Sequence, residues 1–107
     1  MTEFDEGVAL AARPDDQSTF DTRLGEGWQI GAGVNGGLLL AVMGNALRTR
    51  FADDGHADPV AVSAYYLSAS RPGPAVLRTE VLRRGRSMST GQVSLFQEQD
   101  GRPVERV

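Results

Sequence analysis

At 107 residues, with 40% hydrophobic and 23% charged residues, the chain has the make-up of one ordinary globular domain, with room for a single core and not for a second. The net charge of -3 comes without any block of like charges, which argues against the basic footprint of a nucleic-acid binder. There is no cysteine and all eleven basic residues are arginine, which excludes a disulfide framework, a thiol nucleophile, a thiolate metal site and a Schiff-base lysine.

The N-terminus, MTEFDEG, is acidic where an export signal needs positive charge and an apolar centre. The apolar run from Val34 to Leu47 is broken by Gly44 and Asn45 and falls short of the roughly 18 residues that span a bilayer. These features predict a cytoplasmic protein with no membrane partner.

In chain order, the first dozen residues read as a mobile arm or a short edge strand, with Val8, Ala9 and Leu10 as candidates for burial. Ser18 to Leu24 alternates, with Phe20, Thr22 and Leu24 on one face, the period of a half-buried strand. Gly25 to Gly33 turns the chain around Trp28. A helix is then predicted from Asn35 to Asp53, capped by the Asn35 side chain and opened by Gly36 and Gly37. It is apolar on every side from Leu38 to Met43, which suits a helix wrapped by a sheet, and Leu40, Gly44, Leu47 and Phe51 continue one apolar face. Gly55 offers a left-handed C-cap, and Asp58-Pro59 stops any continuation.

From Val60 the composition becomes β-branched and aromatic. VAVSAYYLSAS reads as a strand with Tyr65 and Tyr66 on opposite faces, and Arg71-Pro72-Gly73-Pro74 as a turn. Val76 to Arg83 is a second strand with Leu77, Thr79 and Val81 inward, Arg84-Gly85-Arg86 a reversal, and Ser87 to Gln99 a third strand. Asp100-Gly101 signals a further hairpin, and a last strand begins at Pro103 and is cut off at Val107. One strand, one helix and an antiparallel meander make an α+β domain whose sheet can wrap its helix.

The candidate chemistry sits at a few places. Gly31 to Gly36 fits the letters of a dinucleotide fingerprint, but that fingerprint needs a parallel strand–helix–strand unit and the meander is antiparallel. The same residues can instead present helix-start amides to a carbonyl oxygen or oxyanion, or serve only as a cap and a close-packing point. His56 reads as a surface loop residue, and one histidine among scattered carboxylates gives no metal-ligand spacing. Arg83, Arg84 and Arg86 can reach phosphates or simply keep a turn solvated. Ser87, Ser89 and Thr90 have no histidine beside them in sequence, so a serine triad is not expected.

GVNGGLLLAVMGNAL, followed by YYLSASRPGPAVLRTEVLRRGRSMSTGQVSLFQEQDGRPV, resembles the N-terminal hot-dog half of the type II acyl-CoA thioesterase family, actinobacterial relatives included. The resemblance is carried by Gly36-Gly37, Tyr66-Leu67, Pro72-Gly73, Gly85-Arg86-Ser87 and Gln99-Asp100-Gly101-Arg102-Pro103 as a set. It implies a hot-dog fold, an antiparallel sheet wrapped around one central helix and lacking the end of its last strand, with residues 1–107 as a single domain that forms the N-terminal half of a double hot-dog. It further implies hydrolysis of acyl-CoA to the free acid and coenzyme A by metal-free attack of water, without a cofactor, in fatty acid metabolism. Asn35, Gly36, Gly37, Tyr66, Arg86 and Ser87 are the implied substrate-binding residues.

The family's acid, hydroxyl and glutamine lie in the C-terminal half, and at the helix positions of the acid this chain has Leu38, Leu39 and Leu40. The catalytic residues are therefore expected from a second hot-dog half, joined to this one or supplied by a homo-oligomer. The alternative is a non-catalytic pairing or acyl-binding module. A dehydratase would need an Asp-His pair that the sequence does not place.

Overall fold

The computed structural model describes residues 3–30, 33–56, 59 and 61–107. Gly31 of the glycine fingerprint, Asp58 of the helix stop and Val60 at the start of the meander lie outside them.

A short helix α1 (Glu3–Gly7) leads into strands β1 (Ala11–Arg13) and β2 (Asp16–Leu24), then the two-residue strands β3 (Gln29–Ile30) and β4 (Gly33–Val34), which pair with each other. Helix α2 (Gly36–Phe51) follows, and the chain ends in β5 (Gly73–Arg84), β6 (Ser89–Gln99) and β7 (Arg102–Glu105). The main sheet has the order β1-β2-β5-β6-β7, antiparallel at every pairing. The long crossover through α2 thus returns the chain beside β2, and the helix comes to lie on β5 and β6.

Period-2 alternation sets the register. Phe20 lies opposite Leu77, and Leu77 opposite Leu95, so one apolar row crosses three strands on the inner face. Leu38, Leu39, Val42, Met43 and Ala46 of α2 close over that row, joined by Leu24, Ala75 and Val107 in one core. Each large side chain buried in this way contributes roughly 1.5–3 kcal/mol relative to exposure. The β6–β7 turn, Asp100-Gly101, has φ of 54° and 76°, the paired left-handed residues that a two-residue hairpin requires. Gly55 caps the end of the helical segment at φ 75°, as its sequence position predicts.

Three expectations change. Of the two readings of the N-terminus, the short edge strand holds, beginning as β1 at Ala11, and the mobile arm does not, since helix α1 precedes it; Gly7 is buried, Phe4 meets Trp28 edge-on at 6.3 Å, and Val8 and Leu10 pack against the core while Ala9 is exposed. The Leu40, Gly44, Leu47, Phe51 face of α2 is covered only toward its end: Phe51 is buried and Leu47 half-buried, while Leu40 and Gly44 are exposed, because the row of Leu77 and Leu95 selects the face of Leu39, Val42 and Ala46. Finally, the described residues from 61 to 70 form no strand. A strand needs a ladder, and this stretch has instead the Leu67 and Ser68 amides donating to the Arg106 carbonyl just past β7, with side-chain bonds of Ser68 to Glu105 O and from Arg106. Val62, Tyr65, Tyr66 and Leu67 are left exposed.

Gly91 decides how closely α2 can approach β6. A Cβ there would stand 2.6 Å from Phe51 and 3.0 Å from Leu47. Replacing Gly91 with alanine is expected to cost about 1–3 kcal/mol by overpacking, read as a lower urea midpoint at unchanged slope. At the β1–β2 turn, the Ser18 and Thr19 hydroxyls and the Ser18 amide donate to Asp16. These bonds, the Ser18 hydroxyl first, lower the Asp16 carboxyl from 3.8 to about 2. A carboxyl depressed in the fold stabilises it above the unfolded value and loses that contribution as acid protonates it. The stability gap between the native chain and Asp16→Asn is therefore expected to close as pH falls from 3.8 to about 2, measured by urea unfolding across that window.

Candidate functional site

The start of α2 is fixed from several directions. The Asn35 amide donates to Trp28 O at 2.8 Å, and the Val34 amide to Ser70 O at 2.9 Å. The Asn35 side chain caps the helix, its Oδ1 accepting from the Gly37 amide at 2.7 Å and the Leu38 amide at 3.2 Å. Tyr66 comes in from the segment after the helix and donates its hydroxyl to Gly36 O at 2.8 Å. The absence of a side chain at Gly36 makes room for that ring, since a Cβ would lie 3.4 Å from three of its atoms.

Four of the six residues expected to bind substrate, Asn35, Gly36, Gly37 and Tyr66, thus meet at one corner. The cap resolves what the helix start does: the Gly37 and Leu38 amides are already engaged by Asn35 and are not open donors. Of the two tyrosines, Tyr66 is the one that reaches the helix, and Tyr65 is 77% exposed. Exposed apolar residues lie near these positions in sequence, Leu40 on the helix and Val62 and Leu67 beside the tyrosines.

Arg86 and Ser87 lie elsewhere. They occupy the β5–β6 reversal, and the Arg86 carbonyl is 3.3 Å from His56 Nε2, beyond the far end of α2. A helix of 16 residues puts those two ends roughly 24 Å apart. At that far end the structure assembles a pair that the sequence does not show: His56 Nδ1 stands 2.6 Å from Ser89 Oγ. A proton on Nε2, held toward the Arg86 carbonyl, leaves Nδ1 to accept from the serine hydroxyl. Asp54 does not orient this imidazole; its carboxylate pairs with Arg84 at 3.1 Å. His56 and Ser89 are 33 residues apart, and only the return of the β5–β6 hairpin over the helix end joins them. His56 is half-buried, where the sequence suggests a freely exposed loop residue.

Elsewhere, a polar groove of about 540 Å³ lies on the outer sheet face between Arg13, Asp16, Arg78 and Glu80. Among the described residues no group of three or more His, Asp or Glu side chains is placed to hold a metal ion.

Residues 24–107 match the family model described as the acyl-CoA thioesterase N-terminal domain. The chain is 39% identical over 100 residues to an uncharacterised protein of Mycobacterium tuberculosis, covering 84% of this chain and 34% of that protein. It is 32% identical over 89 residues to the thioesterase-like protein TwmA of Talaromyces wortmannii, covering 83% of this chain and 26% of the relative. A crystal structure from Thermobifida fusca that carries a provisional thioesterase II designation superposes with a TM-score of 0.80 at 32% identity, over 98% of this chain and 37% of that one. The match shows the hot-dog fold, and the chain spans about a third of the length of these proteins.

Two substitutions test the helix corner. Asn35→Ala is expected to cost about 0.5–2 kcal/mol by stripping two first-turn amides of their acceptor, and Tyr66→Phe about 0.5–1.5 kcal/mol by removing one hydrogen bond. Because both act on the same helix start, a double-mutant cycle by chemical denaturation is expected to show coupling rather than additivity.

Proposed function

The chain belongs to the acyl-CoA thioesterase N-terminal domain family, and from that premise we propose that it is the structural half of an enzyme that hydrolyses acyl-CoA to the free acid and coenzyme A. The observation that carries this reading is the corner where the Tyr66 hydroxyl meets the Gly36 carbonyl at the capped helix start. Asn35, Gly36, Gly37 and Tyr66 form one wall of the acyl pocket in this reading, with the exposed apolar residues Leu40, Val62 and Leu67 available to complete it. Arg86 and Ser87, at the opposite end of α2, would meet a different part of an extended substrate or none of it.

The reacting groups come from a second hot-dog half. Leu38 and Leu39 are core residues and Leu40 is exposed, and none of the three side chains can take a proton from water. The second half, in the same polypeptide or in another copy, also covers Val62, Tyr65 and Leu67, whose exposure invites pairing. That exposure equally favours the second reading, a non-catalytic module that pairs with another hot-dog or holds an acyl chain. The setting we propose is cytoplasmic fatty acid metabolism; no described helix is long and apolar enough to cross a membrane.

Release of free thiol from medium-chain acyl-CoA separates the two readings. The 107-residue chain alone is expected to remain at the spontaneous rate, and the chain joined to a second hot-dog half to turn over. Turnover by the short chain would overturn the assignment of catalysis to the other half. Inactivity of both forms, with acyl-CoA still bound, would favour the binding module.

A further inference from the structure

Arg106 is a buried cation, 6% exposed, held on the inner face of the sheet where β7 ends. Its Nε donates to Gln97 Oε1 at 3.4 Å, Nη1 to Ser68 Oγ at 3.2 Å, and Nη2 to Gln99 Oε1 at 3.0 Å. All three acceptors are neutral. Among the described residues the ion pairs are Arg13–Asp21 and Arg84–Asp54, so no carboxylate is in direct contact with this guanidinium. Amide and hydroxyl oxygens satisfy a guanidinium's directionality, yet the cost of holding its charge away from water stays uncompensated. One N–H on each terminal nitrogen is also still available.

The surroundings are built to hold the guanidinium still. The Gln97 amide is fully used: its Oε1 accepts from the Arg71 amide at 3.0 Å as well as from Arg106, and its Nε2 donates to Arg71 O at 2.7 Å and Pro74 O at 3.3 Å. Gln97 thereby ties residues 71–74, which the sequence reads as a turn but whose last two open β5, to β6, and leaves a groove of about 370 Å³ between them and the β6–β7 hairpin, with Arg106 and Arg71 both on its wall. Glu98 and Asp100 also border the groove. Strand pleating puts Glu98 on the opposite face from Gln97 and Gln99, and Asp100 sits in the turn, so both acids belong to the rim.

We propose that this groove is an oxyanion-binding site in which Arg106, with Arg71 at its mouth, takes the phosphate or carboxylate group of a small ligand. The prepositioned fork of Arg106 suits a planar or tetrahedral oxyanion, and the ligand supplies the countercharge that the fold omits. Arg71 is exposed and can close over the bound group, while its backbone stays clamped by Gln97.

The test is a titration of the isotope-labelled chain with inorganic phosphate and, separately, with acetate, following the Nε–Hε resonance of Arg106. A saturable shift is expected with at least one anion; preference for phosphate identifies a phosphate-bearing ligand, and preference for acetate a carboxylate. Arg71→Gln, which leaves the backbone clamp in place, is expected to weaken binding several-fold. Gln99→Glu places a carboxylate against Nη2 and is expected both to abolish anion binding and to raise the thermal midpoint. No saturable shift with either anion would overturn the proposal, as would binding unchanged in Arg71→Gln.

Discussion

Leu77 and Leu95 lie opposite one another in the β5–β6 ladder, neither with any exposed surface, and α2 rests across them. That seat determines the rest of the molecule. It selects which face of a nearly all-apolar helix turns inward, and it fixes the height of the helix above the sheet through the bare backbone at Gly91. It also sets where each end of the helix emerges. Dispersion and burial are non-directional, so the position of α2 is decided by this register and by the one gap in the side-chain layer, not by any single polar contact.

Each end of the helix is then tied by directional bonds. At the start, Asn35 satisfies two orphan amides while Tyr66 satisfies the Gly36 carbonyl, so both polarities of backbone group find partners at one corner. At the far end, His56 links the loop after the C-cap to Ser89 and to the Arg86 carbonyl, and Arg84 holds Asp54. The far end of the helix is thus pinned to β5 and β6, and its start to the segment that carries Tyr66. The segment between Tyr66 and Ser70 is attached on one side to the helix start and on the other to the Arg106 carbonyl. This leaves Val62, Tyr65 and Leu67 displayed without a cover.

Much of this was legible in the sequence because it follows from local chemistry. Asn35 before a glycine pair, Gly55 after the helix, Asp100-Gly101 between alternating strands and the inward set of Phe20, Leu77 and Thr79 are all read from spacing and turn residues. The buried face of α2 was not, because from Leu38 to Met43 every side is apolar and periodicity cannot choose among them; only the partner row can. The 61–70 stretch has strand composition and lacks a ladder, which shows that β propensity describes a surface suited to pairing and not the presence of a partner. The His56–Ser89 bond and the Gln97–Arg106 network join residues far apart in the chain or interleaved across a hairpin, and no local pattern announces them. Four of the six expected site residues converge because they flank one helix start; Arg86 and Ser87 follow the hairpin to the other end.

The leucines after the glycine pair carry the last step. At a helix start the partial positive charge of the helix dipole favours an electron-rich oxygen. Yet the two amides best placed to donate are spent on Asn35, and the next positions bear side chains with no proton acceptor. Introducing an acid at Leu38 or Leu39 would bury a carboxylate in the core, at a desolvation cost that would push it toward its neutral form and away from use as a base. Leu40 is the one of the three that is exposed. The corner thus offers backbone and ring surface for contact but no side chain at Leu38, Leu39 or Leu40 that can accept a proton.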